Sequence, residues 1–313
     1  MTTLLNNLTT ISAFAPATCA NVAVGFDLLG FAIENVGDIV TLTRRDDNQI
    51  IIDKIDSADE LPLDPDKNTA SAVVNFFCQD LNIETGFSIH IKKGLALGCG
   101  MGGSAASSVA ALVAVNAFLE KPLTNPQLIK YALHGEKVAV GTAHSDNVIP
   151  CLYGGITLTQ SLNPIRILEL PVPDIYVVIV HPHMRLDTKA SRAVLSKEIL
   201  LLDHIKQSAY LAGFISALYT KDLILLQESL HDCIIEPKRA RLIPGFAAVK
   251  NAALENGALG ASISGSGPSV FAFAPNQERA IDIANAMQSA FADFNLASDQ
   301  YVSLISKQGA QVL

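Results

Sequence analysis

Between residues 94 and 103 the chain reads GLALGCGMGG, five glycines in ten positions. No regular helix or strand tolerates that density, because an ordered glycine gives up more backbone freedom than any other residue. The patterns on either side are regular. Residues 87–93, FSIHIKK, alternate apolar and polar positions as a strand with one wet face does. Residues 104–119, SAASSVAALVAVNAFL, form an Ala-rich helical run that opens on Ser. A strand, a glycine turn and a helix start in that order gather backbone N–H groups at the positive end of a helix dipole, an arrangement that suits phosphate. Without a ligand, the same stretch reads as a flexible loop packed on a small-residue helix.

Two other motifs overlap the loop and neither is satisfied. Gly98, Gly100 and Gly103 fit G-x-G-x-x-G, and Glu120 lies near the distance expected of a ribose-binding acid. Such an acid ends a second strand, whereas Glu120 ends a helix and is followed by another helix start. No Gly-Lys-Ser or Gly-Lys-Thr follows the glycines and His-Arg-Asp is absent, which excludes a Walker loop and a protein-kinase catalytic loop. No Lys or Arg falls between residues 94 and 120, and the formal net charge is −8. Polyphosphate would therefore be held by backbone amides and a metal ion, with Ser104 offering a hydroxyl oxygen to Mg²⁺. The acidic total argues against a nucleic-acid partner. Cys99 lies inside the loop near the helix start, a place that can acidify a thiol.

The rest of the chain predicts an α+β protein of two domains, 1–155 and 156–313. Strands are expected at 11–15, 38–43, 50–55, 155–159, 175–181 and 301–306, with a further strand pattern in ASISGSGPSVFAFA. Helices are expected at 69–81, 125–140, 221–233, 246–256 and 277–294, and near 188–219. Half the residues are hydrophobic and only 17% are charged, which fits two packed cores. No apolar run approaches the roughly 18 residues that span a bilayer, and the first fifteen residues lack both a basic residue and an apolar h-region; a cytoplasmic protein without membrane contact is expected. Five scattered cysteines without a C-x-x-C pair fit reduced thiols. His181 and His183 read as strand-end residues, since no Cys or His cluster accompanies them.

Three segments together resemble the GHMP kinases. The family's phosphate loop commonly reads P-x-G-x-G-L-G-S-S-A-A, and this chain has ALGCGMGGSAAS, with Ala96 for Pro, Met101 for Leu and Gly103 for the first Ser. APATCANVAVGFDLLGFAI resembles the first family motif and GASISGSGPSVFAFA the third. GEKVAVGTAHSDNV, TKASR and EPKRARLIPGF extend the likeness to the branch that phosphorylates L-homoserine. The resemblance implies a ribosomal S5-like N-terminal domain, a ferredoxin-like C-terminal domain, ATP and Mg²⁺ as cofactors, a role in threonine biosynthesis and a possible homodimer. It places nucleotide at Leu97, Gly98, Cys99, Gly100, Met101, Gly102, Gly103, Ser104 and Ala105, with Asn68 on the adenine side. It makes Ser104 and Glu136 the metal ligands. Asn21, Asp27, His144, Thr188, Arg192 and Arg239 face the substrate, Arg241 competing with Arg239. Asp146, Asn147 and Arg192 take the catalytic positions, Asp146 as base or as substrate-orienting carboxylate. Another small alcohol, such as mevalonate or a sugar, and a non-catalytic sensor are the competing readings.

Overall fold

The computed structural model describes residues 3–5, 7–141 and 144–313, without the side chains of 138–140. Residues 142 and 143 of GEKVAVGTAHSDNV thus lie outside the described residues. The first half contains β1 (Thr10–Ala20), β2 (Leu29–Arg45), β3 (Ile50–Asp56), α1 (Thr69–Asp80), β4 (Gly86–Lys92), α2 (Gly103–Asn116), α3 (Asn125–Val140) and α4 (Ser145–Tyr153). The chain continues through β5 (Ile156–Leu162), β6 (Ile165–Leu170), β7 (Tyr176–Pro182), α5 (Thr188–Ala193), α6 (Leu201–Thr220), α7 (Leu223–Ser229) and α8 (Glu236–Arg239). The chain closes with α9 (Phe246–Glu255), β8 (Gly260–Ile263), β9 (Val270–Ala274), α10 (Gln277–Ala292), β10 (Ser298–Leu304) and β11 (Gln311–Val312).

The 17-residue β2 organises the first sheet. It runs antiparallel to β1, pairs β4 along 39–45 and pairs β5 along 29–31, so one strand carries neighbours at both of its ends. The order is β11-β1-β2-β4-β3, with β5 and β6 branching from β2. Against this sheet lies α2, eleven of whose fourteen residues are buried. Ala, Ser and Val keep that helix thin enough to sit between the sheet and its neighbours α1, α3 and α4. The expected cut at 155 would separate β5 from β2; strand pairing instead carries the first sheet through Leu170 and brings β11 back to it.

The second sheet has the antiparallel order β10-β7-β9-β8, which with α9 and α10 is the ferredoxin-like arrangement. Alternation along β7 assigns its faces. Val178 and Val180 pack under α9 and α10, while Val177 and Ile179 turn to the core of the first half. Phe271 and Phe273 of β9 meet Phe31 of β2 at centroid distances of 5.9 and 5.4 Å. These buried rings join the two halves.

Three sequence expectations are corrected. The stretch 188–219 is two helices, α5 and α6, separated by residues 194–200. The short helix α4, which contains Pro150 and has His144 of the His-Ser-Asp-Asn element as its N-cap, is not among the expected helices. The strand expected at 38–43 begins at Leu29, because its first part pairs with β1 and β5 despite a turn-like Glu-Asn-Val-Gly interruption.

Gly30 shows how closely α4 sits on β2. A Cβ there would lie 1.8 Å from the Asp146 carbonyl oxygen and 2.9 Å from Pro150 Cγ. Gly30→Ala must push α4 outward, and overpacking of this kind costs about 1–3 kcal/mol. A lower urea midpoint, together with loss of turnover at unchanged oligomeric state, is the expected result; an unaltered midpoint would show that α4 is not pinned there.

Candidate active site

A cavity of about 510 Å³ opens between the helices of the first sheet and the loops of the second. The glycine loop forms one wall. Gly98, Gly100 and Gly102 have φ of 68°, 79° and 69°, the left-handed region that only glycine enters freely. A Cβ on Gly102 would also lie 2.1 Å from Thr18 Oγ1. The loop is fastened by its oxygens. Thr18 N–H donates to the Met101 carbonyl (3.1 Å), Ser264 Oγ to the Gly100 carbonyl (2.8 Å), and Ser269 Oγ to the Cys99 carbonyl (2.6 Å). With those carbonyls turned into the protein, the first-turn amides of α2 remain at the cavity wall.

Beneath the loop lies a buried ion pair between Lys93 and Asp38. Lys93 Nζ also donates to the Gly103 carbonyl (2.9 Å) and to Ser107 Oγ (3.0 Å), and Ser107 Oγ donates to Asp38 Oδ2 (2.7 Å). Gly94 N–H closes the network on Asp38 Oδ1 at 3.0 Å. The absence of Lys and Arg after residue 94 concealed this cation, which stands one residue upstream at the end of the strand pattern. Arg185 and Lys189, also missed, line the cavity too, Arg185 lying over Gly98 of the loop. Nothing in their local sequence separates them from surface charges.

At the helix start Ser104 Oγ donates to Glu136 Oε2 at 3.1 Å. Glu136 is buried, and burial pushes its carboxyl up to about 7 against the Ser104 hydrogen bond. Asp146 is fully enclosed, and burial followed by the Asp27 charge raises it to about 6. Its Oδ1 has no hydrogen-bond partner among the described residues. For Asp27 burial acts upward but is outweighed by hydrogen bonds from His144 and Arg192, which hold it at about 2. Arg192 Nη2 lies 2.7 Å from Asp27 Oδ1 and 3.2 Å from His144 Nδ1. Single ligating atoms of Asp27, His144 and Asp146 all fall within 4.8 Å of one another.

The remaining candidates gather at the same cavity with two exceptions. Asn147 accepts from Thr18 Oγ1 (2.7 Å), and Thr188 Oγ1 lies 3.3 Å from Ser266 Oγ. Asn21 uses its amide to donate to the Gly265 carbonyl (2.7 Å) and to accept from Asp27 N–H (3.1 Å), so it braces the site. Asn68 lines the cavity while capping α1 through Ala70 N–H. Leu97 N–H donates to Asp59 Oδ2 at 2.7 Å. Arg239 is buried at the wall, with Nη1 donating to the Gly265 carbonyl (2.9 Å), whereas Arg241 is exposed. Met101 and Ala105 are buried behind the loop and do not line the cavity. His181 bonds Ser269 across 3.2 Å and His183 meets Asp299, so the two histidines serve different neighbours.

Cys99 departs from expectation. It is 2% exposed, its side chain belongs to the apolar core, and burial pushes its thiol up to about 11. The helix dipole acts on residues 102–104 and does not offset that desolvation. Iodoacetamide on the folded protein should therefore label Cys233, the partly exposed thiol, and spare Cys99 until urea is added. Peptide mapping that finds both labelled at equal rates would contradict this burial.

The chain is similar to known proteins. The GHMP kinases N terminal domain matches residues 68–155 and the GHMP kinases C terminal domain residues 214–293. Homoserine kinase from Chlorobaculum tepidum is 45% identical over 97% of this chain and 98% of its own length. The Xylella fastidiosa homoserine kinase is also 45% identical, over 96% and 93%. The crystal structure of homoserine kinase from Cytophaga hutchinsonii superposes with a TM-score of 0.96 at 44% identity, covering 99% of both chains. A mevalonate kinase from L. major shares the fold at a TM-score of 0.71 and 15% identity. End-to-end similarity of that depth, on a fold whose glycine loop and helix start are built as the sequence pattern requires, means that the chain belongs to the homoserine kinases of the GHMP kinase family.

Proposed function

We propose that this protein transfers the γ-phosphoryl group of ATP to the hydroxyl of L-homoserine, giving O-phospho-L-homoserine and ADP for threonine biosynthesis. One observation carries the choice of substrate. In a single cavity Arg192 Nε and Asp146 Oδ1 are both buried without a hydrogen-bond partner among the described residues. An unpaired donor and an unpaired acceptor each cost about 1–3 kcal/mol. An amino acid answers both, its carboxylate to the guanidinium and its ammonium or hydroxyl to the carboxylate. Arg239 stands at the same wall as a second cation for the carboxylate.

The triphosphate would lie along the amides of Gly98–Ser104, where the α2 dipole favours negative charge. Ser104 and Glu136 suit Mg²⁺: the donors are oxygens only, and Glu136 is held near 7 by burial in the absence of a countercharge. When bound, Mg²⁺ neutralises charge on the phosphate oxygens. The protein's own part is to align the substrate hydroxyl with the γ-phosphorus, since positioning is worth about 7–11 kcal/mol. Asp146 accepts the hydroxyl proton as the O–P bond forms and the bond to ADP breaks.

A coupled ADP-release assay across L-homoserine, mevalonate, galactose and shikimate tests the substrate. Turnover with homoserine should exceed the others by at least about a hundredfold; turnover with none of the four would favour a sensor. The proton step predicts the pH profile. The carboxylate form of Asp146 is the active one, and its carboxyl lies at about 6. Because Glu136, raised to about 7, must also be a carboxylate to hold the metal, kcat/KM should begin to fall below about pH 7 and steepen below about 6, where Asp146 protonates too. Asp146→Asn should lower kcat about 10²-fold or more and remove the steeper step near pH 6, leaving the Glu136 step. An unchanged limb in the variant would remove Asp146 from the proton path.

A further inference from the structure

Among the described residues, Phe26 is the phenylalanine whose ring faces arginine side chains. It belongs to neither apolar core, although it is partly buried. Its ring instead meets two cations, with Arg192 Cζ 5.3 Å and Arg239 Cζ 5.1 Å from the centroid. Those distances are within the range of cation–π attraction. The two arginines arrive from separate elements, α5 and α8, and carry like charge. Among the described residues Arg192 is paired directly with a carboxylate, Asp27, whereas Arg239 feels Asp27, Asp146 and Asp232 without an ion pair. Arg239 is 3% exposed and is held by two neutral carbonyls, those of Ser191 (3.2 Å) and Gly265 (2.9 Å). Two guanidiniums brought into one wall need a shared electron-rich surface, and Phe26 supplies it.

The backbone that presents Phe26 is correspondingly unusual. Asn21, Val22 and Ala23 are consecutive non-glycine residues at φ of 70°, 47° and 57°, and Asp27 follows at 59°. A β-branched valine in that region is a genuine outlier, and strain of this kind persists only where surrounding contacts over-determine it. Here Gly25 N–H donates to the Asn21 carbonyl (2.8 Å) and Leu29 N–H to the Gly25 carbonyl (2.9 Å), closing the turn. The result sets Phe26 and Asp27 side by side, one offering a ring face and the other a carboxylate to Arg192.

We infer that Phe26 is a positioning residue that sets the planes of Arg192 and Arg239 to receive the substrate carboxylate. It acts through the arginines, since it does not itself line the cavity. The inference rests on the carboxylate reading of the two arginines given above, and its test separates the two. Steady-state constants are measured for Phe26→Leu, Phe26→Met, Phe26→Tyr and Arg239→Ala with L-homoserine, with L-homoserine amide, which lacks the carboxylate charge, and with ATP. Losing two cation–π contacts should raise KM for homoserine about tenfold in the leucine and methionine variants. KM for ATP should stay within about twofold, and the preference for homoserine over its amide should shrink by about the same tenfold factor. Tyrosine, which keeps the ring face, should restore both values. Equal losses on homoserine, amide and ATP, or no rescue by tyrosine, would reduce Phe26 to packing and overturn the inference. An Arg239→Ala variant with unchanged homoserine KM would overturn the carboxylate reading itself. A raised KM there beside normal leucine and methionine variants would overturn the role of Phe26 alone.

Discussion

The glycine loop is anchored through its carbonyl oxygens, and its anchors come from both halves of the chain. Thr18 belongs to β1 of the first sheet, while Ser264 and Ser269 flank the turn between β8 and β9 of the second. Fixing the oxygens inward orients the peptide planes and leaves the amides of the α2 start at the cavity. The arrangement is therefore a property of the docked sheets, and it relies on the packing of Phe31 against Phe271 and Phe273. The Lys93–Asp38–Ser107 network supports the same loop from below by holding the Gly103 carbonyl. Buried ion pairs contribute little net stability, because desolvation offsets attraction, but they fix geometry when every hydrogen-bonding atom is used. Here Asp38 accepts from Lys93, Ser107 and Gly94.

Much of this was legible in the sequence where one local pattern carried the information. Five glycines followed by an Ala-rich run defined the loop and α2, and the helices α1, α3, α9 and α10 followed from their periodicity and end signals. Elements whose local composition argues against them were missed or shortened. The first part of β2 is paired by β1 and β5 at residues 29–32, but the Glu-Asn-Val-Gly stretch that follows is an irregularity with Asn35 at φ of 62°, and it hides the continuity of the strand. Helix α4 is nine residues long with an internal proline, and its place is set by contact with Gly30. The charged walls were harder still. His144, Asp146 and Asn147 came from resemblance alone, and Lys93, Arg185, Lys189 and Phe26 gave no signal, because what they do depends on residues far away in the chain.

The charge balance illustrates the same limit. From a net charge of −8 and a loop without cations, backbone amides and a metal seemed to be the only means of holding polyphosphate. The folded cavity has six basic side chains in its lining, Lys67, Lys93, Arg185, Lys189, Arg192 and Arg239, against five acidic ones, Asp27, Glu60, Glu136, Asp146 and Asp187. Lys93 is committed to Asp38 and Arg192 to Asp27, so the cations with least internal compensation are those of the second half, Arg185, Lys189 and Arg239. Beyond about 8–10 Å the surface acids are screened by salt, and these nearby groups dominate the local field. On the proposed reading, the first half would supply amides and oxygen ligands while Arg185 and Lys189 of the second line the same cavity. That division explains why the loop is tied to both sheets: amide directions and cation positions have to be set together to within a fraction of an ångström if phosphoryl transfer is to gain from positioning.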